Sequence, residues 1–475
     1  MTTARRGLTS PGTPTTLSCI RFPTWTTMHK TLTLALLFAF CTIGALPLSA
    51  QETPAVTSDA APAIPSPPDW LPALDAMYGD IRVPGLEQRD FGPEQWWQVA
   101  TPLLNRRAGF KVEQIGHSVE KRPLQHARWG KGKTRILLWS QMHGDESTGT
   151  MALADLFRFL GEHPEHPVAK RIHANTTLHF LPMLNPDGAA RFQRRNVQGI
   201  DINRDARMLA TPEGRTLKAL HDRVRPAFGF NLHDQQPHYR VGDSDRSTAI
   251  ALLAPAPNAA NEVTPQRARA IEVAAVIRIA LEPYISGHIA RWDETFNPRA
   301  FGDLTAQWGT GTVLIEAGGI EGDTQKQELR RLYFFGLLAA LDSIATGSHA
   351  GTPHALYRDL AENADPWPDL RIDGGTLAIP GQPQARADLL VSFRRPLTWE
   401  GATLRDIGDM GGENARKVID ASGLYIVPGK DESGAPCRIA TSTPACFHLS
   451  RDPEGRDVVW SLLRNLDPAQ PLPGN

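Results

Sequence analysis

Ile136-Leu137-Leu138-Trp139-Ser140-Gln141-Met142-His143-Gly144-Asp145-Glu146 is the stretch on which the fold turns. An apolar run of strand length stops at Ser140, and the segment from about Thr148 carries apolar residues at helical spacing, so residues 140–147 form a strand-to-helix turn. Gly144 eases that turn and lets His143 and Glu146 bring an imidazole and a carboxylate to one side of the chain. The pair has the look of two metal ligands. A third must come from another segment, and the candidate is His233, which ends the apolar run Phe228-Gly229-Phe230-Asn231-Leu232 as a strand ends at an active-site edge. Two histidines and a carboxylate leave zinc a fourth position for water. Among 15 histidines, one placed three residues before a Glu also suits a solvated turn, so the metal site needs support from other motifs.

With 475 residues and 41% apolar content the chain can bury one large core or two. Its 50 basic and 51 acidic residues leave a net charge of -1, which supplies no overall basic field and excludes nucleic acid as a natural partner. Residues 1–50 have the character of an N-terminal extension and signal peptide: His29-Lys30 precedes the apolar run Leu32 to Cys41, and Leu48-Ser49-Ala50 ends in small residues. Met28 then becomes the expected start. A membrane anchor is the other possibility, but the run is short and Pro47 soon follows it, so the expectation is an exported protein, periplasmic or secreted, with no stable membrane anchor. Residues 51–69, rich in Ala and Pro, are expected to be a disordered linker. Loss of Cys19 and Cys41 with the N-terminus leaves Cys437 and Cys446 as an even pair, expected to form a disulfide in an oxidising compartment.

Residues 70–347 are expected to form one domain, and between Phe110 and Ile344 the pattern alternates as an α/β domain does. Strands are expected at Val112 to Ile115, Ile136 to Trp139, Thr177 to Leu181, Gly229 to Leu232, Ala249 to Leu253, Ile285 to Ile289 and Thr312 to Ile315. Helices are expected around Met151 to Leu160, Ala268 to Leu281 and Leu329 to Ile344, after short helices between Trp70 and Arg107. Residues 348–475 are punctuated by proline and form a small β-rich C-terminal region, structural or a wall beside the substrate.

Further motifs accompany the metal candidates. Asn185-Pro186-Asp187-Gly188 suits a type I turn. Arg191, Arg194 and Arg195 lead into Gly199-Ile200-Asp201-Ile202-Asn203-Arg204-Asp205, and clustered Arg and Asn are what recognition of a substrate carboxylate needs. Gly311-Thr312-Val313-Leu314-Ile315 delivers Glu316, either a satisfied structural acid or a catalytic base.

In this order the motifs resemble the zinc carboxypeptidase family of the carboxypeptidase A type, over about Ile115 to Ile344. The resemblance implies an α/β fold with a mixed, mostly parallel central sheet flanked by helices. It also implies that His143, Glu146 and His233 bind one zinc ion per chain, that Glu316 is the general base for the zinc-bound water, and that Arg194 steadies the oxyanion. Asn203 and Arg204 would grip the carboxylate of a peptide substrate with a free C-terminus, and Asp201 would support a zinc-binding histidine. Two departures stand out. Asp145 gives a His-Gly-Asp-Glu form similar to bacterial murein peptide amidases, and no tyrosine lies between Ile285 and Glu316 to cover the substrate, leaving Trp292, Phe296 or Phe301 as candidates. Arg291, Asp293, Glu294, Arg299 and Asp303 fall where the pocket wall is expected. A murein peptide amidase or N-acyl amino acid hydrolase shares the chemistry. A non-catalytic binding module would usually have lost a ligand or the base, and here all are present.

Overall fold

The computed structural model describes residues 63–467, so the expected signal peptide and most of the linker lie outside the described residues. Among the described residues no helix is long and apolar enough to cross a membrane.

The larger sheet has eight strands: β1 (Lys111–His117), β2 (Pro123–Gly130), β3 (Thr134–Ser140), β4 (Thr176–Leu181), β5 (Phe228–Asp234), β6 (Ile250–Leu253), β7 (Ile289–Arg291) and β8 (Gly311–Ala317). Their order is β1-β2-β4-β3-β5-β8-β6-β7. The central β4, β3, β5 and β8 run parallel, β1 and β2 add an antiparallel edge, and β6 pairs antiparallel with β8. The mixed, mostly parallel sheet is therefore present. Central strands buried on both faces need apolar residues at successive positions, which is why Ile136 to Trp139 is an unbroken run.

Helices cover both faces. On one lie α1 (Leu71–Ile81), α2 (Pro93–Leu103), α3 (Thr148–Glu162), α4 (Pro167–Asn175), α6 (Pro265–Ile285) and α8 (Gln327–Thr346), packed with Ile136, Leu138 and Phe230 in the main core. On the other, α5 (Pro212–Val224) and α7 (Phe301–Gln307) close a smaller core around Leu137 and Trp139. Asp155 of α3 and Arg330 of α8, both fully buried, lie 2.6 Å apart and bind the segment after α1 through Val83 N–H and the Val83 carbonyl.

Two expectations shift. Ile285 to Ile289 is not a strand: α6 runs on to Ile285, Gly287 turns the chain at φ +74°, and the strand begins at Ile289. Asn185 to Gly188 goes further than a turn, since Asn185 Oδ1 accepts from Gly188 N–H at 2.9 Å and starts a short helix, Pro186–Ala189.

The C-terminal region forms a seven-stranded sheet, with β9 (Leu370–Leu377), β10 (Ala385–Arg395), β11 (Glu400–Gly408), β12 (Lys417–Asp420), β13 (Tyr425–Pro428), β14 (Cys446–Ser450) and β15 (Val458–Leu463). One face holds its own core, including Leu370, Leu389, Leu404, Phe447 and Trp460. The expected Cys437–Cys446 disulfide is formed, with the two Cα atoms 5.8 Å apart.

Candidate metal centre and active site

The carboxyl ends of β3, β5 and β8 meet at one corner, and the side chains singled out in the sequence gather there. His143 follows β3, where Gln141 adopts a left-handed φ of +51° and donates from Nε2 to the Gly144 carbonyl at 3.0 Å. The turn passes so close to residues 188–193 that a Cβ on Gly144 would lie 2.1 Å from the Gly188 carbonyl carbon. Only glycine fits, so its part in the turn is close approach as much as flexibility.

Glu146 spans the two histidines: Oε1 is 2.7 Å from His143 Nδ1, and Oε2 is 2.7 Å from His233 Nδ1. Ligand atoms of the three buried side chains lie within 4.8 Å of one another and could hold a metal ion. The far ring nitrogens are also engaged. His143 Nε2 is 3.0 Å from Asp201 Oδ1, and Asn203 Nδ2 is 3.4 Å from His233 Nε2. Partners on the outer nitrogens fix each ring and leave both Nδ1 atoms for the ion, so the donor set fits zinc. Burial would raise the Glu146 carboxyl, but the two imidazoles outweigh it and hold the group well below the usual carboxylate range.

β8 pairs with β5 so that Glu316 stands opposite His233. Its Oε2 is buried with no hydrogen-bond partner among the described residues. Burial, followed by the charges of Glu146 and Asp234, pushes this carboxyl well above its ordinary range. Arg194 donates from Nη1 to Glu146 Oε1 at 3.0 Å and from Nε to Asp201 Oδ2 at 3.1 Å. Asn203 is nearly buried and its Oδ1 accepts from Phe301 N–H at 2.9 Å, which ties this loop to the start of α7. Arg204 spends Nη1 on the Asn203 carbonyl at 2.7 Å, and its other guanidinium nitrogens have no hydrogen-bond partner among the described residues.

The three covering candidates separate. Phe301 is fully buried and Phe296 packs against the same core, whereas Trp292 stands against Tyr239, ring centroids 5.5 Å apart. Tyr239, in the loop after β5, lies outside the segment before Glu316 where a covering tyrosine is expected. It is half-buried, and burial followed by the charges of Asp365 and Glu316 pushes its hydroxyl above the ordinary tyrosine range. Lys326 was missed as well. Fully buried, it donates from Nζ to Asp234 Oδ2 at 3.2 Å and to the Ala317 carbonyl at 2.9 Å, and no sequence pattern marks it.

The C-terminal sheet reaches this neighbourhood. Arg395 of β10 lies over the Phe192 ring at 5.8 Å, and Arg89 lies over the same ring at 5.4 Å. His238 Nδ1 is 2.9 Å from Asp369 Oδ1 in a buried pair at the seam between the sheets.

Residues 105–240 match the family model described as zinc carboxypeptidase. The chain is 38% identical over 65 residues to Carboxypeptidase SOL1 of Arabidopsis thaliana, covering 14% of this chain and 13% of that one. It is 25% identical over 201 residues to Carboxypeptidase 2 of Trichophyton rubrum, covering 39% and 37% respectively. The chain thus spans well under half the length of these curated relatives. Among solved structures, a metallo-carboxypeptidase from Burkholderia cenocepacia aligns at 18% identity over 55% of this chain and 70% of that one, with a TM-score of 0.43. Carboxypeptidase A from Helicoverpa armigera aligns at 13% identity over 58% and 82%, with a TM-score of 0.46.

Proposed function

We propose, from the match of residues 105–240 to the zinc carboxypeptidase family model, that this chain is an exported, zinc-dependent metallocarboxypeptidase that removes the C-terminal residue of peptides. One observation carries the proposal: a three-ligand metal set and a buried carboxylate with a free oxygen face each other across adjacent strands at the same register. Zinc, when bound there, supplies a Lewis acid that lowers the pKa of a water from 15.7 to about 7 and polarises the scissile carbonyl.

The chain's own residues do the rest. Glu316 takes the proton of the attacking water and passes it to the leaving amine. Arg194, held by Glu146 and Asp201 with its side chain 43% exposed, keeps N–H groups for the oxygen on which charge develops; one such contact commonly lowers the barrier by roughly 3 to 4 kcal/mol. Arg204 binds the terminal carboxylate through its free nitrogens, while Asn203 fixes the loop that carries it. Tyr239 supplies the aromatic cover missing before Glu316. The N-terminal apolar run and the Cys437–Cys446 disulfide support export.

A second reading, hydrolysis of a cell-wall peptide by the same residues, draws on Asp145, whose Oδ1 is buried without a partner next to Glu146. Mass spectrometry of one mixture distinguishes the two: free-ended peptides, their amidated twins and murein tripeptide, with wild type beside Glu316→Gln. Trimming of the free-ended peptides by wild type, cut by at least about 10³-fold in the variant with zinc content unchanged, is the expected result. Cleavage of murein tripeptide alone would establish the second reading, and equal activity of the variant would remove Glu316 from its role.

A further inference from the structure

Away from this corner, the outer strands of the large sheet have one covered face and one open face. Strand alternation sends Ala127, Trp129, Leu178 and Phe180 into the main core. The opposite face, which α5 covers only in part, carries Glu113 of β1, His126 and Arg128 of β2, and Thr177 and His179 of β4, side by side across the strands. They line an open recess of about 760 Å³.

The recess is strongly cationic. Lys111, Lys133, Arg135 and Arg223 join Arg128 around it, and Glu113 is the only carboxylate in the lining. That carboxylate is already paired with Arg223 at 2.7 Å. Lys111, Arg128 and Lys133 have no carboxylate or carbonyl partner among the described residues.

At its floor lie two imidazoles joined edge to edge in nearly one plane. His126 and His179 have ring centroids 5.1 Å apart and an interplanar angle of 3°, with His126 Nε2 3.0 Å from His179 Nδ1. His179 is 8% exposed, and its Nε2 is buried without a hydrogen-bond partner. Burial and the positive groups around it hold His179 down to about 3, so the ring is neutral. A neutral pair has two proton arrangements. In one, His126 Nδ1–H donates to Glu113 Oε1 at 3.0 Å and His179 is left with a bare Nε2. The other would set a bare His126 Nδ1 against the Glu113 carboxylate at 3.0 Å, so the first holds and His179 Nε2 is an acceptor with nothing among the described residues to donate to it.

We propose that this recess binds a multiply charged phosphoryl anion, held by Arg128 and Arg135, with His179 Nε2 at the floor accepting from a protonated phosphoryl oxygen. The site is independent of the hydrolytic reaction. Arg128 is unpaired and Arg135, which gives Nε and Nη2 to the Arg225 carbonyl at 3.4 and 3.3 Å, keeps Nη1 for a phosphoryl oxygen, while a buried ring nitrogen without a partner is a cost that a protonated phosphoryl oxygen removes. The near-zero net charge of the chain favours a small phosphoryl group over a long polyanion. Free phosphate compounds and anionic lipid headgroups both offer that group.

Titration calorimetry of the full chain with pyrophosphate at low ionic strength tests the proposal, alongside co-sedimentation with phosphatidylglycerol and with phosphatidylcholine vesicles. Arg128→Gln with Arg135→Gln should weaken binding by about tenfold or more, and His179→Phe by several-fold. Lys121→Gln, outside the recess, should change nothing. If the half-buried Arg128 variant fails to fold, Arg135→Gln with Arg223→Gln, both exposed, takes its place. Saturable pyrophosphate binding with this pattern supports a free phosphate ligand, and the same pattern with phosphatidylglycerol alone supports a headgroup. Absence of both, or binding that the recess variants leave unchanged, overturns the site and leaves a solvated basic face.

Discussion

The eight-stranded and seven-stranded sheets treat charge in opposite ways. The larger takes charge inside: Glu146, Asp201, Asp234, Glu316 and Lys326 crowd one corner, and Asp155 and Arg330 form a fully buried pair beneath it. The smaller fills its inner face with Leu370, Leu389, Leu404, Phe447 and Trp460, closes one loop with a disulfide and leaves ion pairs such as Arg451 with Asp457 at the surface. Burying charge costs several kcal/mol per ion before any partner repays it. A chain that buries so many in one region and so few in the other marks where charge has work to do. The smaller sheet rests on apolar area and one disulfide.

The sharpest way to break this contrast is to unpair a buried charge on the larger side. Arg330→Met strands Asp155 and should cost about 3 to 5 kcal/mol, read as a large drop in the denaturation midpoint. Adding Asp155→Leu should recover part of that loss, and no recovery would mean that the pair matters through its backbone contacts to Val83 and Leu86. On the smaller side, Cys437→Ser with Cys446→Ser should cost about 2 to 3 kcal/mol in the chain-entropy model and leave peptide hydrolysis untouched. Lost hydrolysis would show instead that the C-terminal sheet shapes the site.

The smallest effect concerns Asp303, which burial pushes up to about 6. A carboxyl raised in the folded state contributes stability below its unfolded value near 3.9, and that contribution is lost as pH rises through the folded value. Asp303→Asn should therefore gain about 1 to 2 kcal/mol at pH 7.5 and nothing at pH 3.5, checked by melts at the two values. A gain that does not vary with pH would rule out ionisation as its cause.

What could be read in the sequence was local. Ile136 to Trp139, the His143 turn and the strand ending in Glu316 each announce themselves within a few residues. α5 escaped because Leu217, Leu220 and Val224 give only a narrow apolar stripe, although Thr211 caps it by accepting from Gly214 N–H at 3.0 Å. β2 escaped because its inward face is marked by little more than Ala127 and Trp129, an alternation too short to stand out between Pro123 and Gly130. The register that sets Glu316 beside His233, the position of Tyr239 and the burial of Lys326 depend on segments far apart in the chain. No short-range pattern encodes them.

The glycine within the turn separates two kinds of inheritance. A side chain at Gly144 would collide with the Gly188 carbonyl carbon whether or not a metal is bound, so every descendant that keeps this chain path must keep that glycine. His143 and Glu146 are retained only while the chemistry is under selection. A descendant holding Gly144 but lacking His143 and Glu146 would be a scaffold that outlived its reaction, and a comparison of those three positions alone would tell it from a working enzyme.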